Sequence, residues 1–340
     1  MGAVEVVQVD PQDQRMVDQW LAVRQAAQEA DAPHLPSVAP APHIVGLLRH
    51  RSDRRVEQWV ARRDGEVVAA AELQFHLRDN RHLVEVDLVV SPQWRRQGIG
   101  TALVRHVERR AVAQGRDTLV AYVVDPIAGG PPRPRHGQRF AASHGYVRVL
   151  DEVHRVADLT AVPEADLDRL LAGAWRRAAG YELVQWAGRM PEEIVDGVAY
   201  LDSRMLVDSP TGELDLEQAV VDADRMREVE AYSRATGMLE LGTAVRHRGE
   251  VAGYTAIEVI PGDEEHCWQG NTIVDPRHRG RRLGTVLKVE NHRLLRSYRP
   301  RMRFVHTWNA EVNQHMIAIN EALGYRAVDR WIAYQKKLSP

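Results

Sequence analysis

Apolar and polar positions along the chain switch between the two-residue alternation of strands and the three- and four-residue spacing of amphipathic helices. Residues 4–9 read as a strand, and Asp10-Pro11 offers an N-cap and first-turn proline for a helix to about residue 30. A loop carrying Pro33, Pro36, Pro40 and Pro42 precedes a short helical stretch at 44–51. Strands at 56–62 and 66–77 are joined by Asp64-Gly65, a strong hairpin signal, and 82–90 follows with an end that is apolar on both faces. Residues 101–114 form a helix with Leu103, Val104 and Val107 on one side and Gly115 as C-cap, before a strand at 118–124. The segment 125–137 has four prolines and three glycines and is irregular; a short helix at 138–144 stops at Gly145, and a strand at 147–159 finishes the set.

The alternation then starts again. A helix over 163–179 carries the stripe Leu167, Leu170, Leu171, Ala174, Trp175 and Ala178 and ends at Gly180. Beyond it the pattern predicts a strand at 181–186, helices at 192–205 and 216–236, and strands at 239–246, 250–260 and 268–274. A strand at 303–308, a helix at 310–323 and closing strands at 326–337 complete it. Gly65, Glu66, Val67, Pro92, Arg95, Gly100, Thr101 and Leu103 meet Gly249, Glu250, Val251, Pro276, Arg279, Gly284, Thr285 and Leu287 at one constant offset of 184. One offset held over some 40 residues is the mark of a duplication. The expected layout is a domain at 1–159, a linker helix at 160–180 and a second domain at 181–340.

Composition narrows the class without naming a function. The 340 residues suit two domains, and 44% hydrophobic with 27% charged residues is an ordinary globular balance. A net charge of −2 supplies no global attraction for nucleic acid or an anionic membrane. The single cysteine, Cys267, makes no intrachain disulfide and fits a reducing cytoplasm, and the first residues form no signal peptide. No apolar run approaches the ~20 residues of a membrane span. Histidines 34, 43, 50, 76, 82, 106 and 136 lack paired ligand spacing, and His266-Cys267 are adjacent, so no metal is expected.

The chemistry lies where strand gives way to helix. Asp87-Leu-Val-Val-Ser-Pro-Gln-Trp-Arg-Arg-Gln-Gly-Ile-Gly-Thr returns as Asn271-Thr-Ile-Val-Asp-Pro-Arg-His-Arg-Gly-Arg-Arg-Leu-Gly-Thr. Bare amides at a helix start form an anion site. The first loop lacks the earliest glycine of a dinucleotide fingerprint, and no Gly-Lys-Ser/Thr of a nucleotide P-loop is present. With Arg95, Gly98 and Gly100 it fits Q/R-x-x-G-x-G/A, and in this setting both halves resemble the GCN5-related N-acetyltransferases, the GNAT superfamily. That resemblance implies a mixed α/β fold of two tandem domains, each a central twisted, mostly antiparallel sheet with splayed strands flanked by helices. It also implies acetyl-CoA, or another acyl-CoA, held at Val89, Val90, Arg95, Arg96, Gln97, Gly98, Ile99, Gly100 and Thr101. In the second half the corresponding set is Ile273, Val274, Arg279, Gly280, Arg281, Arg282, Leu283, Gly284, Thr285, Asn309 and Asn313.

The copies depart from the family pattern in complementary ways. Arg282 stands where Gly98 has its counterpart. The later family motif is kept in the second half at Asn313, Ile319, Leu323, Gly324 and Tyr325, whereas the first has Pro134 in the asparagine's place and keeps Phe140, Gly145 and Tyr146. The family's proton-donating tyrosine is replaced by Ala141 and Asn320. For a base, Glu85 and Asp87 share one strand face, their second-half counterparts are Gln269 and Asn271, and Glu258 is the fallback. His266 and His278 are weaker candidates. The expectation is a cytoplasmic N-acetyltransferase acting by direct transfer on a primary amine of a small molecule, one domain catalytic and the other structural or degenerate, with no nucleic-acid or membrane partner. A catalytically silent acyl-CoA sensor and a protein-amine acetyltransferase remain open.

Overall fold

A computed structural model describes residues 2–33, 35, 52–208 and 210–338; the stretch expected as helical at 44–51 lies outside them. The first part of the chain gives β1 (Glu5–Gln8), α1 (Gln14–Asp31), β2 (Arg54–Arg63), β3 (Glu66–His76), β4 (Leu83–Val90), α2 (Ile99–Ala113), β5 (Thr118–Pro126), α3 (His136–Ser143) and β6 (Val147–Asp158). Then come α4 (Glu164–Trp175), β7 (Glu182–Ala187), α5 (Glu192–Ser203), α6 (Met205–Asp208), α7 (Ala223–Ala235), β8 (Leu239–His247), β9 (Glu250–Val259) and β10 (His266–Val274). The chain closes with α8 (Leu283–Tyr298), β11 (Phe304–Ala310), α9 (Gln314–Ala322) and β12 (Tyr325–Lys337). The fold is mixed α/β, with two tandem domains of the expected kind.

Compact units do not follow the simple halves. One unit comprises Met1–Asp151, Gly212–Glu217 and Arg330–Pro340; the other comprises Glu152–Thr211 and Gln218–Asp329. In the first, strands run in the order β1-β2-β3-β4-β5 and then the Arg330–Lys337 part of β12; in the second, the Glu152–Asp158 part of β6 is followed by β11-β10-β9-β8-β7, and the Tyr325–Asp329 start of β12 belongs there too. Each has a parallel neighbour pair among the described residues, β4 with β5 and β10 with β11, where a crossover helix (α2 or α8) joins them.

Both sheets bury two faces. In the first unit Leu73, Phe75, Val84, Leu103, Val107 and Leu119 form a core with α2, while Val17, Trp20, Val60 and Ala70 form another with α1. Trp20 is fully buried and donates its indole N–H to the Ala71 carbonyl at 3.2 Å; burying such a ring contributes roughly 5 kcal/mol before entropy costs. In the second unit Val286, Leu287, Leu295, Val305 and Tyr325 pack in one cluster, and Trp186, Ile194, Val198, Ala244 and Tyr254 in the other.

Local boundaries moved where side chains found other partners. The N-cap of α1 is Asp13, whose carboxylate accepts the Met16 N–H, rather than Asp10. The helix expected at 216–236 is confined to Ala223–Ala235, capped by Asp222. Residues 212–217 belong to the first unit instead, where the Asp215 N–H donates to Gln335 and the Glu217 N–H to Asn80. Those fixed tertiary bonds outweigh a weak helical preference. Residue 310, expected to start a helix, ends β11, and α9 begins at Gln314 because Asn313 caps it.

Candidate active site

Each loop after a parallel strand contains two left-handed residues, two positions apart. In the first these are Arg96 (φ 63°) and Gly98 (φ 81°); in the second, Gly280 (φ 77°) and Arg282 (φ 57°). The same backbone path is thus kept with glycine and arginine exchanged. Arg282 therefore occupies the Gly98 conformation at a cost of order 1 kcal/mol. Arg282→Gly should relieve it and raise the thermal midpoint by a few degrees; an unchanged or lowered midpoint would show that the Arg282 side chain more than compensates.

The loops differ in their amides. Among the described residues, the N–H groups from Gln97 to Thr101 meet no backbone carbonyl, whereas the Thr285 N–H is taken by the Arg282 carbonyl at 3.1 Å. A Cβ built on Gly98 meets nothing within 4 Å, so the space above it is open. The first loop fits a diphosphate better.

Arg95 and Arg279 are both paired. Arg95 donates Nε to the Val90 carbonyl at 3.0 Å and grips Asp31, at the end of α1, with both terminal nitrogens. Arg279 repeats this with the Val274 carbonyl at 3.2 Å and Asp208 of α6 at 3.2 Å. Both arginines staple their loop to a helix end. His136 lies 3.2 Å from Asp31; burial opposes ionisation there, yet hydrogen bonds from His136 and Arg95 bring the Asp31 carboxyl below its ordinary value.

Strands β4 and β5 pair only over Leu83–Glu85 and Thr118–Val120, then separate. A cavity of about 860 Å³ occupies the gap. Its walls include Arg96, Gly98, Gly100 and Thr101 of the loop, Leu88 to Val90 of β4, Tyr122 to Val124 of β5, and Phe140 and Trp331. The same cavity reaches Glu72, Gln74, Glu85 and Asp87. Glu72 lies opposite Asp87 in the ladder and Gln74 opposite Glu85, so all four project on one face.

The carboxylates are held in place. Glu85 Oε1 is 2.8 Å from His76 Nε2, and Asp87 is 2.5 Å from an Arg24 nitrogen. Glu72 accepts from Gln58 and Gln74, each at 3.1 Å. Burial by itself would raise the Glu85 carboxyl, but the His76 hydrogen bond and the charge of Arg54 outweigh it and hold the group below its usual pKa. Arg24 is penalised by burial, yet Asp87 and Glu72 keep it firmly charged. Glu72, the cross-strand partner of Asp87, was not singled out from sequence, because the register that joins them is not written in either strand alone.

The second unit is built differently at the matching place. Strands β10 and β11 pair over His266–Trp268 and Phe304–His306 before parting, and β10 carries a bulge between Gln269 and Thr272. The extra residue shifts the register, so the ladder counterpart of Glu85 is Trp268, opposite Glu258, rather than Gln269. Gln269 is buried and donates to Thr255 Oγ1 and the Ala256 carbonyl, filling the bulge, while Asn271 donates to Asp202. Glu258 also faces Glu240 across β9 and β8. Burial first, then the nearby charge of Glu258, pushes the Glu240 carboxyl up to about 7, against a hydrogen bond from Trp186 that lowers it. Sequence reading passed over Glu240, since only the ladder sets it beside another carboxylate.

The asparagines expected to bind the pantetheine arm are engaged within the protein. Asn313 Oδ1 accepts the Met316 N–H as the cap of α9, and Asn309 Oδ1 accepts from Asn320, which in turn accepts from Lys288 Nζ at 2.5 Å. Lys288 is buried, and burial pushes its amine down to about 7. Between about pH 7 and 10 the unfolded chain carries a proton here that the folded chain has shed. Stability should therefore rise with pH across that window, by of order 1 kcal/mol per unit from this group. Lys288→Met should flatten the rise in denaturant titrations taken at several pH values; an unchanged slope would place the dependence elsewhere.

Comparison with known proteins agrees with this architecture. The family model described as the acetyltransferase (GNAT) family matches residues 20–126 and again 212–325. The chain belongs to the acetyltransferase (GNAT) family. With that membership comes acyl transfer that depends on a coenzyme A thioester. A tandem GNAT protein from the clavulanic acid biosynthesis pathway, solved without AcCoA, is 32% identical, with 99% of each chain covered and a TM-score of 0.80. A GCN5-related N-acetyltransferase from Sphaerobacter thermophilus is 17% identical over 99% of this chain and 96% of that one, with a TM-score of 0.67, and shares the fold. An amino-acid acetyltransferase of Pseudomonas fluorescens (strain Pf0-1) is 35% identical over 107 residues, which are 30% of this chain and 24% of that protein. The match thus spans about a quarter of that relative's length. Among the described residues no helix is long and apolar enough to cross a membrane, and no three His, Cys, Asp or Glu side chains group as for a metal ion.

Proposed function

We propose that this protein acetylates a primary amine on a small cationic molecule, using acetyl-CoA, in the cleft of the first unit. One observation carries the reading: a single cavity joins the free loop amides to the Glu72, Glu85 and Asp87 face. An anion site and a cation site at opposite ends of one cleft suit a diphosphate-bearing thioester and an ammonium.

The amides of Gln97 to Thr101 would hold the diphosphate, and the parted edges of β4 and β5 would line the pantetheine arm. When bound, the thioester supplies an acyl carbon activated for direct attack by nitrogen. Glu72, Glu85 and Asp87 draw in the ammonium and orient it. Glu85 accepts the departing proton and shares it with His76, its partner at 2.8 Å. Where the family pattern would place a tyrosine the chain has Ala141, and Tyr122 on the β5 wall provides a phenol for the leaving thiolate instead. Arg95 serves as a loop staple in this scheme, with Arg96 nearer the open cavity.

The test is release of coenzyme A thiol across a panel of amines, with matching alcohols and carboxylates as controls. Turnover confined to amines, and favouring those with a second positive charge, is the expected result. Acetyl-CoA that raises thermal stability yet yields no thiol with any amine would replace this reading with a silent acyl-CoA sensor.

A further inference from the structure

The gap between β4 and β5 is bridged at its open end. The two strands share their last rung at Glu85 and Val120. Each then runs five residues further, β4 to Val90 and β5 to Asp125, so the opening is roughly 16 Å deep. Both rims carry a post. On the β4 side Arg95 donates to the Val90 carbonyl at 3.0 Å and holds Asp31, the last residue of α1. On the β5 side Asp125 accepts from Gln138 at 2.5 Å and lies 3.6 Å from Arg135, which ties down the start of α3. His136, the first residue of α3, meets Asp31 through Nε2 at 3.2 Å. One contact thus joins the rims.

The same contact joins the two faces of the sheet. Helix α1 packs with Val60 and Ala70, whereas α3 packs through Ala141 in the cluster that holds Ala61, Ala71 and Leu103. Val60 alternates with Ala61 along β2, and Ala70 with Ala71 along β3, so the helices lie on opposite sides. Their ends can touch only where the strands between them have parted.

A ligand of the cleft has to use that gap. The loop amides stand at the start of α2, on the face of Leu103. Glu72 shares the side of Ala70 by the strand's period of two, and Asp87 and Glu85 lie with it. A molecule reaching from the amides to the carboxylates therefore passes through the sheet between β4 and β5. Asp31 and His136 both line this cavity.

The bridge is built to open on one side. Arg95 takes both Asp31 oxygens, so His136 can leave without undoing the staple. A carboxylate on the last residue of a helix sits against the helix dipole, which keeps Asp31 in place for every cation it meets. The His136 side chain is 47% exposed and can turn outward between staggered rotamers.

We propose that His136 is a gating residue: bonded to Asp31 it bars the open end of the gap, and it swings aside to admit an acyl-CoA between β4 and β5 and closes again over the bound arm. This rests on the reading in which the first unit's cleft takes the cofactor.

Stopped-flow mixing of the full chain with desulfo-CoA tests it, followed by tryptophan fluorescence because Trp94 and Trp331 line the cavity. His136→Ala should raise the association and dissociation rate constants together, by about fivefold or more, and leave Kd within about twofold, since a bar that is closed both before and after binding limits traffic rather than affinity. His136→Arg, with a longer and permanently charged side chain, should slow both. Rates unchanged in both variants overturn the bar. Faster dissociation alone, with a weaker Kd, also overturns it and makes His136 a plain ligand contact. Gly98→Val separates the two readings. Binding that needs Gly98 but ignores His136 overturns the bar alone, whereas binding undiminished by Gly98→Val overturns the first-unit reading and the bar with it.

Discussion

Glu85→Gln should lower kcat by about 10²-fold or more, the usual scale for removing a positioned proton acceptor, while the KM for acetyl-CoA stays within a few-fold. The split follows from geometry: Glu85 lies at the paired end of β4, five residues before the strand's end, whereas the loop amides begin beyond it at Gln97. The amide keeps the hydrogen bond to His76 but not the charge. Because His76 and Arg54 hold the wild-type carboxyl below its ordinary value against burial, it stays ionised through neutral pH. The acid limb of kcat/KM assigned to this group should then lie below the ordinary glutamate pKa of about 4.3. His76→Gln, which removes a stabiliser of the carboxylate, should move that limb upward. Steady-state rates over a pH series read both effects. A Glu85→Gln enzyme with wild-type kcat would move proton transfer to Asp87 or Glu72.

Gly98→Val should weaken acetyl-CoA binding by roughly 10²-fold or more. Two costs combine. A β-branched residue at φ 81° is strained by about 1–2 kcal/mol, which pulls the loop from its left-handed path and turns amides away from their target. The new side chain also enters space that now meets nothing within 4 Å, where the anion would sit. Each charge-assisted amide bond lost removes about 1.5–3 kcal/mol. Calorimetry with acetyl-CoA or desulfo-CoA measures it. The same replacement at Gly280 is the internal comparison, since the second loop already spends one amide on the Arg282 carbonyl. Equal weakening from both changes would mean that both loops bind; loss only from Gly280→Val would move the cofactor to the second unit.

Much of the architecture is local and was readable from residue order. Hairpins at Asp64-Gly65 and Arg248-Gly249, the paired strand–loop–helix segments and the constant offset all depend on near neighbours in the chain, and both loops fold as the repeat requires. The alternation of Glu85 and Asp87 on one face needed nothing but the strand's period of two.

What the chain order did not disclose depends on register and on distant partners. A one-residue bulge in β10 replaced the expected Glu85–Gln269 correspondence with Trp268, and no spacing rule announces a bulge. That Asp31, 64 residues away, pairs with Arg95 is written in no local pattern. The spacing of Asn313 to Gly324-Tyr325 favours a pantetheine ligand over a cap, and the Met316 amide that its Oδ1 accepts is seen only in the fold. Glu72 gains meaning only opposite Asp87, and Asp31 meets His136 only where β4 and β5 have parted. Sequence determined the elements, their duplication and the loops, since steric and periodic preferences act over a few residues. Tertiary structure alone decided which charges are free and which are spent, because a hydrogen bond's partner is chosen by proximity in space.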